Sequence, residues 1–195
     1  MAEVIHARKP SWVGTERLSM RSVSEADETL FCDLYGDPET MRFVGPVLTR
    51  ERAQRSFRIV LASLDSHPLE RLFLVIVEKA SQRAIGISAF QHFDAHRRRV
   101  EAGMVLNSES RGRGFGKEGL HALVTHGFAI YPVDEVWIQH AADNAIARRV
   151  PISLGLARNT DAPALEVAPG KCIWSAYRES WCGSPRFTEC PPARG

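Results

Sequence analysis

The spacing of hydrophobic positions in the first third of the chain predicts one strand followed by two helices. Residues 15–21 (TERLSMR) alternate and predict the strand. Ser24, with Asp27 three residues later, resembles a capping box and predicts the start of the first helix, which ends at Gly36 and Pro38. A second helix is predicted from Thr49. Its apolar stripe consists of Ala53, Phe57, Val60, Leu61 and Leu64.

The middle of the chain changes to the spacing of strands. Residues 72–77 (LFLVIV) are apolar and rich in β-branched side chains, which predicts a central strand buried on both faces. Residues 84–93 and 99–107 predict two further strands, separated by the polar turn 94–98. These segments together predict an antiparallel meander.

The last third of the chain predicts alternating helices and strands. An amphipathic helix is predicted over 117–131, and Pro132 ends it. A strand over 133–140, a short helix over 144–154 and a closing hairpin over 165–181 follow. This order predicts one α/β domain over residues 15–182, with a loose lead-in at 1–14 and a flexible tail at 183–195.

The overall composition is that of a soluble globular protein. The chain has 195 residues, of which 44% are hydrophobic and 25% charged. A net charge of +2 is too small to indicate a nucleic-acid-binding protein. No apolar run approaches the roughly 20 residues that a membrane helix needs. We therefore expect no nucleic-acid or membrane partner, and a monomer or homodimer.

The four cysteines contain no CxxC pair and follow no secretion signal, which predicts reduced thiols and a cytoplasmic location. Pairing of Cys182 with Cys190 under oxidation stays open.

The residues best suited to bind a ligand lie in one glycine-spaced loop between a predicted strand and a predicted helix. It reads RGRGFGK over 111–117, with glycines at every second position from 112. Glycines let a backbone turn tightly and approach a ligand closely, and a helix N-terminus attracts anions. Arg111, Arg113 and Lys117 add positive charge. The loop therefore predicts a pyrophosphate-binding site.

Two common phosphate-binding motifs match this loop poorly. A dinucleotide fingerprint requires a third glycine where Lys117 stands. A P-loop requires glycine at 111 and Ser or Thr at 118, and the chain has Arg111 and Glu118. The loop also follows a meander late in the chain rather than the first strand of a βαβ series.

The pattern R-x-x-G-x-G, formed by Arg111, Gly114 and Gly116, resembles the acyl-CoA pyrophosphate loop of the GNAT superfamily of N-acyltransferases. The resemblance covers residues 15–181. The segments TERLSMR, DPETMRFVG and WSAYRESW resemble the branch that includes ribosomal-protein N-terminal acetyltransferases, and ADNAIARRVPISLGL resembles the family's segment after the core motif.

The resemblance implies a single α/β (α+β type) GNAT domain with a mixed, mostly antiparallel sheet, helices on both faces and a splayed acyl-CoA cleft. It implies that acetyl-CoA is the co-substrate, that no metal takes part and that a primary amine accepts the acetyl group. The amine would belong to a protein N-terminus, an amino acid or a small molecule. The implied cofactor-binding residues are Met104, Val105, Leu106, Arg111, Gly112, Arg113, Gly114, Phe115, Gly116, Lys117 and Asn144.

Glu101 is the candidate general base, because the family often places a glutamate at this position of the strand. The alternative is a structural carboxylate paired with an arginine such as one of residues 97–99. The family's usual tyrosine acid is absent, because Pro151 stands at that position. Ser153, Tyr177 and Cys172 stay open as substitutes. Pro151 also keeps a second function open, that of a non-catalytic acyl-CoA-binding or regulatory module.

His92 and His96 stand four residues apart, but they flank a predicted strand and turn rather than sharing a helix face. We therefore expect no metal site from this pair.

Overall fold

The computed structural model describes residues 13–64, 71–159 and 170–181. Within these ranges the chain forms one eight-stranded sheet with helices on both faces. The strands are β1 (Val13–Gly14), β2 (Leu18–Ser22), β3 (Leu72–Glu78), β4 (Arg83–Asp94), β5 (Arg99–Leu106), β6 (Glu135–Ala141), β7 (Ala157–Asn159) and β8 (Lys171–Tyr177). The helices are α1 (Glu28–Gly36), α2 (Pro38–Met41), α3 (Arg50–Ser63), α4 (Phe115–Ile130) and α5 (Ala145–Ser153).

The sheet is mixed and mostly antiparallel, as the sequence predicts. Its strand order is β1-β2-β3-β4-β5-β6-β8-β7, and only β5 and β6 run parallel. Parallel neighbours need a long crossover connection, and α4 provides it here. The predicted meander corresponds to β3, β4 and β5.

Two hydrophobic cores lie on opposite faces of the sheet. Leu72, Leu74 and Ile76 of β3 belong to the core that contains α4. Phe73 and Val75, which alternate with them, belong to the core that contains α1 and α3. The predicted burial of this strand on both faces is therefore confirmed.

Polar caps fix the starts of the first helices. Ser24 and Asp27 form the predicted capping box, and Arg21 pairs with Asp27 at 2.6 Å. Burial opposes ionisation of Asp27, but hydrogen bonds from Arg21 and Ser24 lower the pKa of its carboxyl group below the ordinary value. Thr49 caps α3, as predicted.

The sequence pattern did not predict helix α2, because Pro38 was interpreted only as the end of the preceding helix. Asp37 accepts hydrogen bonds from the backbone N–H groups of Glu39 and Thr40, so it acts as an N-cap. Proline is favoured at the first position of a helix, since the N–H it lacks would have no partner there. Pro38 therefore ends one helix and begins another.

Several predicted boundaries were wrong. Residues 15–17 form a turn rather than the beginning of the first strand, and β1 lies inside the predicted lead-in. Helix α4 begins at Phe115 rather than at 117, and β6 begins at 135 rather than at 133.

The closing strand pairs differently from the predicted hairpin over 165–181. β8 pairs with β6 on one side and with β7 on the other, and the sequence had left β7 unassigned. The start of the predicted hairpin, the tail at 183–195 and both Cys182 and Cys190 lie outside the described residues. Among the helices that the structure describes, none has the length and apolar character needed to cross a membrane.

Candidate active site

A cleft opens where β5 and β6 separate. The two strands pair only from Arg99 to Glu101 on β5 and from Glu135 to Trp137 on β6. Beyond these residues both strands continue without pairing to each other. The gap is a cavity of about 540 Å³. Because β4 pairs with only one edge of β5, the backbone groups on the other edge face this cavity.

Gly103 leaves space at the point where the strands diverge. It lines the cleft, and a Cβ atom on it would meet no atom within 4 Å. Gly86 on β4 differs, because a Cβ there would collide with the backbone carbonyl of Val105. The glycine at 103 is therefore not required by packing within the protein, and the volume it leaves belongs to the cleft.

The glycine-spaced loop closes one end of the cleft. Gly112 and Gly114 have φ angles of +73° and +82°, which glycine adopts without strain. Gly114 is the N-cap residue of α4 and has no side chain to bond the first-turn N–H groups. Those N–H groups and the helix dipole favour an anion at this end.

The two loop arginines point to different places. Arg111 lines the cleft and donates hydrogen bonds to Thr40 Oγ1 at 2.8 Å and to Glu39 Oε1 at 3.3 Å. Arg113 donates to Glu78 Oε1 at 2.5 Å and does not line the cleft. Hydrogen bonds from Ser81 and Arg113 lower the pKa of the Glu78 carboxyl group. Of the two, only Arg111 is positioned to meet a ligand in the cleft.

The first turn of α4 is tied to the sheet edge. Glu118 accepts hydrogen bonds from Thr15 and from the backbone and side chain of Arg17. Burial opposes ionisation of Glu118, but these hydrogen bonds lower the pKa of its carboxyl group. Phe115 is buried in the core, with the guanidinium groups of Arg17 and Arg113 at 4.8 and 4.6 Å from its ring centre. These contacts hold the loop in place.

Residues of α2 and the loop after it cover the cleft. Phe43 and Val44 line it, together with Glu39, Thr40 and Arg42. The segment is held at both ends, by Arg111 at Thr40 and by Lys171, whose Nζ donates to the backbone oxygen of Phe43 at 3.2 Å.

A polar cluster lies behind the point of divergence. The side chain of Glu101 is only 4% exposed. Its Oε2 accepts a hydrogen bond from His92 Nδ1 at 2.5 Å, and its Oε1 accepts one from Gln139 Nε2 at 3.0 Å. Gln139 lines the cleft, whereas Glu101 does not. Because a carboxylate only accepts, the amide nitrogen of Gln139 must face Glu101. The Oε1 atom of Gln139 is then buried and without a hydrogen-bond partner.

The chain belongs to the GNAT acetyltransferase family. The model of the acetyltransferase (GNAT) domain matches residues 17–157, which is most of the chain and includes the loop and both strands of the cleft. The predicted family and the predicted fold are thereby confirmed.

Individual relatives agree with this assignment. The chain is 24% identical over 160 residues to the N-acetyltransferase p20 of Bacillus licheniformis, itself uncharacterized, covering 82% of this chain and 89% of that one. An acetyltransferase (GNAT family) from Bacillus anthracis superposes with a TM-score of 0.69 at 17% identity, over 86% of this chain and 99% of that one. The spermidine N-acetyltransferase of Vibrio cholerae, solved with CoA and spermine, gives 0.71 at 14% identity over the same shares.

The structure brings only some of the predicted residues of this GNAT chain to the cleft. The predicted residues that line it are Met104, Val105, Leu106, Arg111, Gly116 and Asn144. Gly112, Arg113, Gly114, Phe115 and Lys117 shape or support the loop without lining the cavity. Asn144 also caps α5, since its Oδ1 accepts from the backbone N–H of Ala147 at 2.9 Å.

None of the three residues that the sequence leaves open as substitutes for the tyrosine lines the cleft. Pro151 lines it inside the last turn of α5. Ser153 donates to the backbone of Val150, and Tyr177 lines a different cavity. Cys172 contacts Arg158 and is also outside the lining.

Sequence reasoning missed His92 and Gln139. His92 was considered only as a metal ligand with His96, and the described residues contain no cluster of three or more such ligands. His140, which lines the cleft, is a structural histidine. Its Nε2 accepts from Trp174 Nε1 at 2.9 Å, and its Nδ1 donates to the backbone oxygen of Ala141.

Proposed function

We propose that this N-acetyltransferase moves the acetyl group of acetyl-CoA to a primary amine by direct attack, without a covalent enzyme intermediate. The observation that supports this most is the one-sided opening of β5, which leads from the uncapped N-terminus of α4 to a buried polar cluster. An anionic cofactor and a cationic acceptor require opposite electrostatic environments, and the two ends of the cleft differ in that way.

The proposed place of acetyl-CoA follows from the donors along the cleft. The pantetheine arm contains amide groups, which pair with the free backbone edge at residues 104–106 as an added strand would. The pyrophosphate lies at the loop 111–117, where the first-turn N–H groups of α4 and the Arg111 guanidinium donate to it. Asn144 contacts the cofactor from the facing side of the cleft.

The proposed acceptor side surrounds Glu101. An amine attacks a thioester only as the neutral form, so its proton must leave at or before the attack. Glu101 supplies the negative charge that makes this loss favourable, and the free Oε1 of Gln139 accepts an N–H of the amine. Backbone N–H groups at the divergence of the strands stabilise the oxygen that becomes negative.

The leaving group departs without a dedicated side-chain acid in this proposal. Thiols are far stronger acids than alcohols, with a pKa of about 8.5 for a free cysteine, so the CoA thiolate is a tolerable leaving group near neutral pH. Pro151 at the usual tyrosine position and the positions of Ser153, Tyr177 and Cys172 outside the cleft support this view. We further propose a cytoplasmic enzyme that acts as a monomer or homodimer.

The second candidate function is a non-catalytic acyl-CoA-binding module. Pro151 is the observation that favours it, because a chain that had lost efficient protonation of the leaving group would still retain the loop and the open strand edge.

Calorimetric titration with acetyl-CoA, combined with a thiol-release assay, separates the two candidates. The amine panel should contain peptides with free N-termini, amino acids and polyamines. We expect binding and amine-dependent release of one CoA thiol for each N-acetyl product. Tight binding with no thiol release on any amine would favour the module. Absence of binding would contradict both functions.

A further inference from the structure

The polar cluster behind the cleft contains a histidine placed by an irregularity of β4. Gln91 faces Glu101 across the β4–β5 ladder, and the next regular pair is Asp94 with Arg99. Two residues, His92 and Phe93, therefore stand opposite Val100 alone, which is a β-bulge. His92 has a φ angle of +51°, uncommon for any residue except glycine.

The bulge changes which face of the sheet His92 occupies. Along a regular strand His92 would point away from Gln91 and from Glu101, because successive side chains alternate. Instead its imidazole bonds to Glu101, while Phe93 packs on the α4 face against Tyr131. A strained backbone at a bulge is therefore used to bring an imidazole onto a buried carboxylate.

The two members of this pair differ strongly in exposure. The Glu101 side chain is 4% exposed and that of His92 is 58% exposed. Each oxygen of Glu101 already accepts one hydrogen bond. The His92 ring also lies nearly parallel to the indole of Trp137 on β6, with ring centres 6.3 Å apart. His92, like Glu101, does not line the cleft, but Gln139, which does, donates to the same carboxylate. Imidazole, rather than carboxylate, is thus the solvent-accessible end of the pair, next to the cleft wall.

We propose that His92 takes the proton of the acceptor amine and that Glu101 acts as its positioning residue. This inference rests on the proposed function and adds a second residue to its acceptor side. Because Glu101 accepts the Nδ1–H hydrogen bond, the imidazole is held in the tautomer whose Nε2 carries a lone pair. A buried carboxylate orients a catalytic histidine in the same way in a Ser-His-Asp triad.

The proton balance of the step is simple. The acceptor arrives as an ammonium ion, and one of its N–H bonds breaks, directly or through one water. That proton forms a new bond to Nε2 of His92, while the electron pair stays on the amine nitrogen. When this pair forms the C–N bond and the C–S bond breaks, the nitrogen loses a second proton, which ends on the departing sulfur to give the CoA thiol. The imidazolium ion that results is stabilised by the negative charge of Glu101. Since His92 is exposed, Nε2 then returns the proton to water.

Two variants of His92 test this role. His92→Asn preserves a donor for Glu101 and suits the positive φ angle, since asparagine adopts this region more readily than most residues, but it cannot take up a proton. We expect about 1000-fold lower kcat, within the range for general base catalysis, with unchanged acetyl-CoA affinity by calorimetry. His92→Gly tolerates the same φ angle and leaves a space open to water.

Added imidazoles provide the readout that a purely structural role would not give. We expect imidazole to restore turnover of His92→Gly, and methylated imidazoles of higher basicity to restore it further. Wild-type turnover in His92→Asn, or failure of every imidazole to rescue His92→Gly, would overturn the inference.

Glu101→Gln distinguishes this outcome from failure of the proposed function. If Glu101→Gln loses turnover while His92→Asn keeps it, Glu101 takes the proton itself and the acetyl transfer stands. If wild-type protein releases no CoA thiol with any amine, both proposals are wrong.

Discussion

The two ends of the cleft are built in different ways. The proposed phosphate end is a continuous stretch of the chain, residues 111–117, and the donors proposed for its ligand are mainly backbone groups. The proposed acceptor end combines Glu101 of β5, His92 of β4 and Gln139 of β6, which are distant in sequence and meet through side-chain hydrogen bonds. We therefore expect cofactor binding to tolerate many side-chain changes, whereas the proposed chemistry depends on a few.

Glu101→Gln is expected to lower catalysis as much as His92→Asn does, which makes it the largest effect among the variants considered next. The neutral amide cannot stabilise a positive charge at His92, so we expect kcat to fall by about 1000-fold. The rate of CoA thiol release at saturating concentrations of both substrates measures kcat. Acetyl-CoA affinity should stay within about twofold of wild type, because Glu101 does not line the cleft. A matching loss of affinity would show that the two ends are not separate.

A buried histidine in α4, the helix that follows the glycine-spaced loop, is expected to make the free energy of unfolding depend on pH. His126 of α4 has a buried Nε2 without a partner, and burial lowers its pKa from 6.5 to about 4. As the pH falls, His126 is protonated near pH 6.5 in the unfolded chain but only near pH 4 in the folded protein. The free energy of unfolding that is present above pH 6.5 is therefore lost as the pH falls towards 4. The loss amounts to about 3 kcal/mol at most.

Urea unfolding at pH 7.5 and at pH 5 measures this loss, with His126→Leu as the comparison. The apolar side chain should flatten the pH dependence. An equally steep loss of stability in His126→Leu would assign it to other groups.

Substitution of Gly103 tests whether the volume beside it is used by substrates rather than by packing within the protein. The Cβ atom of Gly103→Val would have no protein atom within 4 Å, and its methyl groups would extend into the cleft, so we expect the free energy of unfolding to change by less than about 0.5 kcal/mol. Turnover should fall by roughly 30-fold, because the added methyl groups occupy the cleft.

Gly86→Ala is the control, because its Cβ would strike the backbone of Val105. We expect it to lower stability by about 1–3 kcal/mol. Normal turnover in a stable Gly103→Val protein would mean that substrates avoid this part of the cavity.

The loop arginines should differ although they are two residues apart. Arg111→Ala removes a guanidinium from the cleft lining, and we expect acetyl-CoA affinity to fall by about tenfold. Arg113→Ala should change affinity by less than about threefold, since Arg113 is paired with Glu78. Calorimetry on both variants gives the comparison. Equal losses would indicate that the loop arginines contribute only general charge.

The sequence located the glycine-spaced loop better than the side chains that meet Glu101, for a physical reason. Glycine spacing, capping residues and a following helix are local signals, and they located the loop, the 3-10 turn Glu25–Asp27 that leads into α1, and the start of α3. The position of His92 depends on a bulge between two strands, and that of Gln139 on the register across β5 and β6. Neither leaves a periodic signal in the chain.

Contacts between segments that are distant in sequence explain two of the boundary predictions that were wrong. β7 has three residues and no alternating pattern of its own, and its partner β8 makes it a strand. Phe115 was assigned to the loop because of its glycine neighbours, but burial of its ring against the sheet makes it the first residue of α4.

A double-mutant cycle with Arg111→Ala and Glu101→Gln tests the division of labour most directly. Their side chains have different hydrogen-bond partners, Glu39 and Thr40 for Arg111 and His92 and Gln139 for Glu101. The measurement is kcat/KM for acetyl-CoA in the wild type, both single variants and the double variant. We expect the two changes in transition-state free energy, each calculated as RT ln of the ratio of kcat/KM values, to add to within about 0.5 kcal/mol. A coupling above about 1 kcal/mol would contradict the claim that the two ends act independently.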